Sequence, residues 1–307
     1  MTGRRVIIAI MGLILLCGLM ITGCGGDSGG GSGNSGEKTN VTWSPQFYGA
    51  EFHEDQAEGN DKVRMDLSTA PEGYVGLRAT TGAKLKLQVL KDSEEYIYDI
   101  RNGRDEFFPL QCGDGVYTFK VMENAMDSKY FEIYSCQADV QLADKNAPFL
   151  HPNQYADYTA DSACVKQAGE MAASAGNEEE FVKAVYDGIS KNITYDEAKA
   201  RSIKKGYIPD PDATMASGKG ICFDYASLAA SMLRSQGIPT KIIFGYVAPD
   251  DLYHAWNMFY TEENGWSSVE FSVNPVDWSR IDLTFYANGT DDKFIGDGSN
   301  YTEVYQY

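Results

Sequence analysis

Positive charge is scarce in this sequence of 307 residues. It has 26 lysine and arginine residues against 44 aspartate and glutamate residues, so its net charge at pH 7 is −18. Because long-range attraction follows the sign of the summed field, such a surface repels nucleic-acid phosphates and anionic lipid headgroups. The charge balance therefore argues against nucleic acid as a partner.

Long apolar runs are also lacking outside the first residues. The run Val6–Ile21 follows two arginines and is too short for a comfortable membrane-spanning helix, a combination typical of an export signal. Residues Ile21–Cys24 resemble the bacterial lipobox, in which cleavage leaves a lipid-bearing cysteine. We therefore predict a lipoprotein signal peptide at 1–23 and a membrane anchor at Cys24, on the extracytoplasmic face of the cell membrane. An ordinary secretion signal is the alternative.

Residues 24–40 lack side chains that could pack. From Gly25 to Gly36 the sequence contains only Gly, Ser, Asp and Asn, which predicts a flexible coil. A coil of about 18 residues reaches roughly 20–25 Å. We interpret this segment as a linker between the lipid and a folded protein.

Cysteines are few as well. Beyond the predicted anchor the chain has Cys112, Cys136, Cys164 and Cys222. An extracytoplasmic compartment permits a disulfide between Cys112 and Cys136, but their spacing does not require one. Free buried thiols are the alternative.

The first region that is rich in structural signals spans residues 41–148. Runs of β-branched and aromatic residues such as VTWSPQFYGAEF, AKLKLQVL and GVYTFKV alternate imperfectly and are separated by turn signals. The pattern predicts an all-β domain, a small sandwich of immunoglobulin-like type. Its one histidine, His53, has the features of a surface residue, and the region has no catalytic constellation.

Helical periodicity appears in the second region, residues 149–307. Segments 161–176 and 177–192 carry apolar residues at helical spacing, and Asn177 with Glu180 matches a capping box. We predict two helices here.

The stretch that carries chemistry runs from Gly218 to Pro239. Glycines precede Cys222, helix-forming residues follow it, and Gly237 with Pro239 ends the run, which predicts a helix that begins at Cys222. A thiol at a helix N-terminus faces unpaired N–H groups, which favour its thiolate and can donate to an oxyanion. Cys222 is therefore the candidate nucleophile.

A candidate base follows in the run His254–Tyr260, which has strand composition. His254 could remove the thiol proton and later protonate a leaving amine. Such a base needs an acid to orient it, and Asp282 and Glu270 are the candidates downstream.

The order of these motifs resembles the transglutaminase-like superfamily. Its pattern is a glycine-flanked cysteine that opens a helix, a Gly-Ile-Pro turn, a His-Ala-Trp strand and an acid on the following strand. The resemblance covers roughly residues 155–307 and implies an α+β, papain-like fold in which the cysteine helix packs on an antiparallel sheet. It implies a triad of Cys222, His254 and Asp282, with no metal or organic cofactor.

Two residues are candidates for the acid of this triad. Family members commonly carry it four residues after a tryptophan. Asp282 fits that spacing from Trp278 and is the preferred acid, which makes residues 266–277 an extra hairpin. Glu270 fits it from Trp266 and is the alternative.

The resemblance implies acyl transfer or hydrolysis at peptide or glutamine amides, with a cell-envelope protein or peptide as the substrate. Cross-linking to an amine, deamidation and peptide hydrolysis use the same triad, so the reaction stays open. A cysteine peptidase of the same fold is one alternative. A non-catalytic surface-binding lipoprotein is another, and the intact Cys-His-Asp set argues against it.

Overall fold

The computed structural model describes residues 43–247, 252–269 and 301–307. These residues belong to one compact unit, Thr42–Tyr307, with a mixed α/β fold built mostly on antiparallel sheets. The predicted domain boundaries stay predictions. The predicted features outside the described residues are the signal peptide, the anchor, the linker and both candidate acids: residues 1–23, Cys24, residues 24–40, Glu270 and Asp282.

Eight strands occupy the first half of the described chain. They are β1 Glu58–Gly59, β2 Val63–Asp66, β3 Tyr74–Ala79, β4 Leu85–Lys91, β5 Glu94–Ile100, β6 Asp105–Pro109, β7 Gly115–Met126 and β8 Lys129–Val140. They form two four-stranded antiparallel sheets, in the orders β1-β2-β3-β6 and β5-β4-β7-β8.

Alternation along these strands decides which side chains are buried. In β4, Leu85, Leu87 and Val89 are buried and the residues between them are half-buried, since successive side chains point to opposite faces of a sheet. Buried residues of both sheets, such as Leu77 and Phe119, belong to one hydrophobic cluster. The β-rich character of this half agrees with the prediction.

The first predicted strand run is wrong. Residues 43–57 form no strand. Instead, the Trp43 ring stacks on Phe181 with centroids 5.1 Å apart, and the Tyr48 N–H donates to the Ser235 carbonyl at 3.4 Å. Trp43 and Tyr48 thus hold the first part of this segment on the helical half, whereas Phe52 lies against Gly76 of β3, and the backbone joins no sheet. Alternating composition alone cannot distinguish a strand from a segment that packs without joining a sheet.

Five helices follow: α1 Ala163–Ser174, α2 Glu178–Asn192, α3 Glu197–Ser202, α4 Pro211–Ser217 and α5 Cys222–Arg234. α1 and α2 confirm the two predicted helices, and the Glu180 N–H donates to the Asn177 side chain at 2.9 Å. α3 and α4 are too short to show periodicity, although Asp196 and Asp210 cap their N-termini. Within the described ranges, no helix is long and apolar enough to cross a membrane.

The remaining strands are β9 Thr194–Tyr195, β10 Lys219–Gly220, β11 Thr240–Val247, β12 Leu252–Thr261, β13 Gly265–Val269 and β14 Tyr301–Gln306. β9 and β10 pair in parallel, and the others form an antiparallel sheet in the order β13-β12-β11-β14. α5 packs on β11 and β12. The Asn257 side-chain amide of β12 donates to the Ala226 carbonyl of α5 at 3.0 Å, which ties the helix to the sheet. This is the packing that the family resemblance implies.

The thiols of the described residues are all free. Cys164 is buried, and Cys112, Cys136 and Cys222 are half-buried. Cys112 and Cys136 therefore do not form the disulfide that the compartment would permit, and both are free thiols. Burial raises the pKa of both these thiols above the usual value.

Candidate functional site

Two glycines bring the chain to the start of α5. Gly218 ends α4 in the left-handed conformation, with φ at 62°, which glycine adopts without steric cost. Gly220 has a different reason, because a Cβ atom there would lie 2.8 Å from the Cβ of Asp224. The glycines before Cys222 therefore serve a tight helix ending and a close approach to the first turn of the next helix.

Cys222 is the first residue of α5, as the sequence predicts. Ile221 occupies the N-cap and has no side-chain acceptor, so no side chain at that position caps the first-turn N–H groups. The half-buried Cys222 packs against a small cluster that includes Ala226 of its own helix and Ala255 of β12. The thiol therefore sits where a helix N-terminus meets the middle strand of the sheet.

His254 lies on β12, between two residues that are close to Cys222. Ala255 shares the cluster just described, and Cys222 is among the groups that raise the pKa of Tyr253, after burial and two neighbouring tyrosines. His254 is 5% exposed and pairs in register with Gly245 of β11. Its ring lies nearly parallel to the Trp256 ring, with centroids 6.5 Å apart. The predicted nucleophile and the strand segment that carries the predicted base are thus neighbours.

Asp224 lies in the first turn of α5 and is fully buried. Its carboxylate accepts a hydrogen bond from the Ile221 N–H at 2.8 Å, which is half of a capping box. Lys199 donates to the same carboxylate at 2.6 Å, and the Tyr207 hydroxyl donates at 2.5 Å. Sequence analysis finds neither Lys199 nor Tyr207, because no motif marks them and the chain brings them to the site through the short helix α3 and the loop after it.

The candidate acids lie outside the described residues, but the strand that leads toward one of them is described. β13 follows β12 in the chain and pairs with it, with Trp266 opposite Tyr260 and Val269 opposite Asn257. In antiparallel pairing, each further residue of β13 moves toward the His254 end of β12. Within the described ranges, no group of three or more His, Cys, Asp or Glu side chains could hold a metal ion.

Comparison with known proteins assigns this half of the chain. Residues 165–271 match the sequence model of the Transglutaminase-like superfamily. These residues form a transglutaminase-like domain. The match spans α1 to β13, including Cys222 and His254, and leaves the β-rich half outside. No curated protein matches the chain.

Solved structures similar to this chain are distant. A protein from Cytophaga hutchinsonii, provisionally described as a cysteine protease, is 18% identical with a TM-score of 0.36, over 64% of this chain and 78% of that one. The periplasmic domain of TgpA from Pseudomonas aeruginosa is 13% identical with a TM-score of 0.33, over 74% and 75%. A TGase is 19% identical with a TM-score of 0.30, over 43% of this chain and a third of that one (33%). Likenesses this weak carry no argument about chemistry.

Proposed function

We propose that the protein is a cysteine enzyme of the transglutaminase-like type that transfers or hydrolyses acyl groups at peptide or glutamine amides. The Cys222 thiolate attacks the carboxamide carbon, and His254 protonates the amine or ammonia that leaves. The resulting thioester is resolved by an amine, which gives an amide, or by water, which gives an acid. The substrate is a protein or peptide.

The observation that carries this proposal is the placement of Cys222 at the start of α5, packed against Ala255 of β12, the residue that follows His254 in the chain. A thiolate is favoured there because the helix N-terminus is positive and its N–H groups are not capped by Ile221. The same N–H groups can stabilise the oxyanion of a tetrahedral intermediate. Cys164 also lies in the first turn of a helix, α1, but there the Asp212 carboxylate accepts from the Ala163 and Cys164 N–H groups, and burial raises the pKa of the Cys164 thiol well above the usual value.

For the orienting acid, two observations favour Glu270 over the residue that the sequence pattern prefers, Asp282. β13 is the strand next to β12 and its last described residue, Val269, directly precedes Glu270 in the chain. The superfamily match ends at residue 271 and so contains Glu270 but not Asp282. We therefore propose Cys222, His254 and Glu270 as the triad, with Asp282 as the alternative acid.

The cellular setting is part of the same proposal. The basic start, the short apolar run and the lipobox-like residues before Cys24 support a lipid anchor on the extracytoplasmic face, and the glycine- and serine-rich linker supports a folded part held away from the membrane. The two β-sheets that share one core support a sandwich of immunoglobulin-like type as the N-terminal domain. We propose that this domain positions the enzyme domain.

Incubation with a glutamine-containing peptide, with and without a primary amine, tests the reaction. Mass spectrometry separates addition of the amine, replacement of the amide by an acid, and peptide cleavage, which distinguishes cross-linking, deamidation and peptidase activity. The C222A variant is the control. Turnover that survives in C222A, or the absence of all three products from the wild type over a panel of peptides, would falsify the proposal.

The choice of acid has its own test. E270Q is expected to reduce turnover by about two to four orders of magnitude, since a triad loses its oriented base when the acid becomes an amide. D282N, the matched variant, is expected to change turnover by less than about threefold. The reverse pattern would assign the acid to Asp282.

A further inference from the structure

Lys199, Asp224 and Tyr207 form a cluster beside the candidate nucleophile, and none of the three belongs to the proposed triad. Asp224 is wholly buried, whereas the Lys199 side chain is 29% exposed. Three donors converge on the carboxylate: a backbone N–H, an ammonium and a phenol. These three donors fix the position of the Asp224 carboxylate at the start of α5.

A negative charge at this position acts against a neighbouring thiolate. Asp224 is two residues from Cys222 in the same helix turn, and both groups compete for the positive end of the α5 dipole. Charges that are buried together are screened only weakly by salt and water. Left uncompensated, the carboxylate would disfavour ionisation of the thiol.

Lys199 supplies the compensation. Its ammonium lies 2.6 Å from the Asp224 carboxylate, 2.7 Å from the Tyr207 oxygen and 4.6 Å from the centre of the Tyr207 ring. Its backbone is fixed too, since its N–H donates to the Asp196 cap of α3 at 2.9 Å. Burial and the bond to Asp224 raise the pKa of Tyr207 well above the usual value, so the phenol remains a neutral donor.

We propose that Lys199 is a positioning residue for Cys222, which neutralises Asp224 so that this carboxylate can hold the first turn of α5 without opposing the thiolate. The inference rests on the proposed role of Cys222 as the nucleophile. It adds an ion pair outside the triad that sets the charge around the thiol. Loss of one partner leaves the other charge buried and uncompensated.

The other titratable groups near Cys222 come from two elements, β9 and β12. Tyr195 of β9 has its pKa raised by burial and then by Cys222, and Tyr253 of β12 has its pKa raised by burial and its neighbours. Burial raises both pKa values above the usual value of a tyrosine, so both phenols are neutral over the pH range in which a thiol titrates. His254 lies between Tyr253 and Ala255 on β12, and every variant in the test retains it.

The test is the pH dependence of Cys222 alkylation by iodoacetamide, read on the Cys222 peptide by mass spectrometry so that the other thiols do not contribute. Three variants of the full folded chain change the local charge in different ways. In K199M the carboxylate stands alone, and the midpoint is expected to rise by about one pH unit. In D224N the ammonium stands alone, and the midpoint is expected to fall. In K199M/D224N neither charge is present, and the midpoint is expected to return to that of the wild type.

Two controls separate charge from structure. K199R keeps the positive charge and is expected to keep the wild-type midpoint, and Y207F removes a hydrogen bond without changing charge and is expected to leave the midpoint in place. If the cluster were merely structural, every variant would lose thermal stability, and the alkylation midpoints would not follow the local charge. If K199M does not fold, D224N and the double variant still decide the matter.

The proposal requires the alkylation midpoint to be lowest in D224N, equal in the wild type and the double variant, and highest in K199M. Any other order would overturn it. The failure of the proposed function is a separate result, because it appears as turnover retained by C222A, whereas the alkylation midpoints are measured without any substrate.

Discussion

Asp66 in the β-rich half and Asp224 in the helical half are both fully buried aspartates that accept several hydrogen bonds. Asp66 accepts from the N–H and Oγ of Ser68 at 2.9 and 2.6 Å and from the N–H of His53 at 2.7 Å. Asp224 accepts from Ile221, Lys199 and Tyr207. The two clusters have similar hydrogen bonding, yet only one lies beside a candidate nucleophile.

The Asp66 cluster has the composition of a serine triad without its geometry. Ser68 Oγ and Asp66 Oδ2 both contact the same ring nitrogen of His53, Nδ1, at 3.2 and 3.1 Å. A relay needs the nucleophile on one ring nitrogen and the acid on the other. His53 is part of a structural cluster that holds the segment before β1 against the sheet, and residue types alone would not reveal this. The comparison teaches that geometry around the base, rather than composition, separates the two sites.

Removing the Cys222 thiol and the Ser68 hydroxyl, one at a time, tests the difference between the two clusters. C222A is expected to abolish turnover, with a loss of several orders of magnitude, because no covalent intermediate can form. S68A is expected to leave turnover within about twofold of the wild type. Steady-state rates with the glutamine peptide check both. A large loss in S68A with its fold intact would mean that the β-rich half takes part in the chemistry.

Arg234, a third buried charge, connects the two halves. Its guanidinium donates to the carbonyls of Thr240 at 2.7 Å, His151 at 3.0 Å and Tyr307 at 2.8 Å. The Tyr307 ring in turn packs in the hydrophobic cluster of the β-rich half. Burial lowers the pKa of Arg234 to about 10, which leaves it charged at neutral pH.

R234M is therefore expected to lower the free energy of unfolding by about 3–5 kcal/mol, since three buried carbonyls lose a charged donor. Urea unfolding, followed by tryptophan fluorescence for the helical half and by far-UV circular dichroism for the whole chain, measures it. The two probes are expected to shift together if Arg234 couples the halves. Two separate transitions, of which only one moves, would show that the halves unfold independently.

The sequence predicts the parts of this site that depend on local pattern, and it misses those that depend on long-range contacts. The start of α5 at Cys222 follows from its glycines and helix formers, and β11 coincides with the run TKIIFGYV. Lys199 and Tyr207 could not be found in this way, because only the three-dimensional path of the chain brings them to Asp224. The segment 43–57 shows the opposite error, since its aromatic residues satisfy a strand pattern, yet Trp43 packs on α2 and the segment forms no strand.

A pair of glycines offers a matched probe of the two aspartate clusters. A Cβ at Gly220 would lie 2.8 Å from the Asp224 Cβ, and a Cβ at Gly76 would lie 2.7 Å from the Phe52 ring and 3.5 Å from the Asp66 Cβ. G220A and G76A are each expected to cost about 1–3 kcal/mol of stability through overpacking. Only G220A is expected to lower turnover, because only it displaces the turn that carries Cys222. If G76A lost as much turnover as G220A at the same stability, the two clusters would not differ in their effect on catalysis.

The smallest expected effect concerns the pH dependence of the Asp66 cluster. Burial alone would raise the pKa of Asp66, but hydrogen bonds from Ser68 and His53 outweigh it and hold the pKa below its usual range. A carboxyl whose pKa is lower in the folded state contributes stability above its unfolded pKa of about 3.9 and loses that contribution as the pH falls through its folded value. D66N is thus expected to lower the free energy of unfolding by about 1–2 kcal/mol at pH 7.

The gap between D66N and the wild type is expected to narrow as the pH falls below about 4, because the wild-type carboxyl then becomes neutral as well. Denaturant titrations of both proteins at several pH values measure it, with D55N as the control at an exposed aspartate of the same segment. A gap that stays constant down to the lowest pH at which both proteins fold would mean that Asp66 stabilises through shape rather than charge. Asp66 would then resemble Asp224 only in being buried, because we propose that Asp224 acts on Cys222 through its charge.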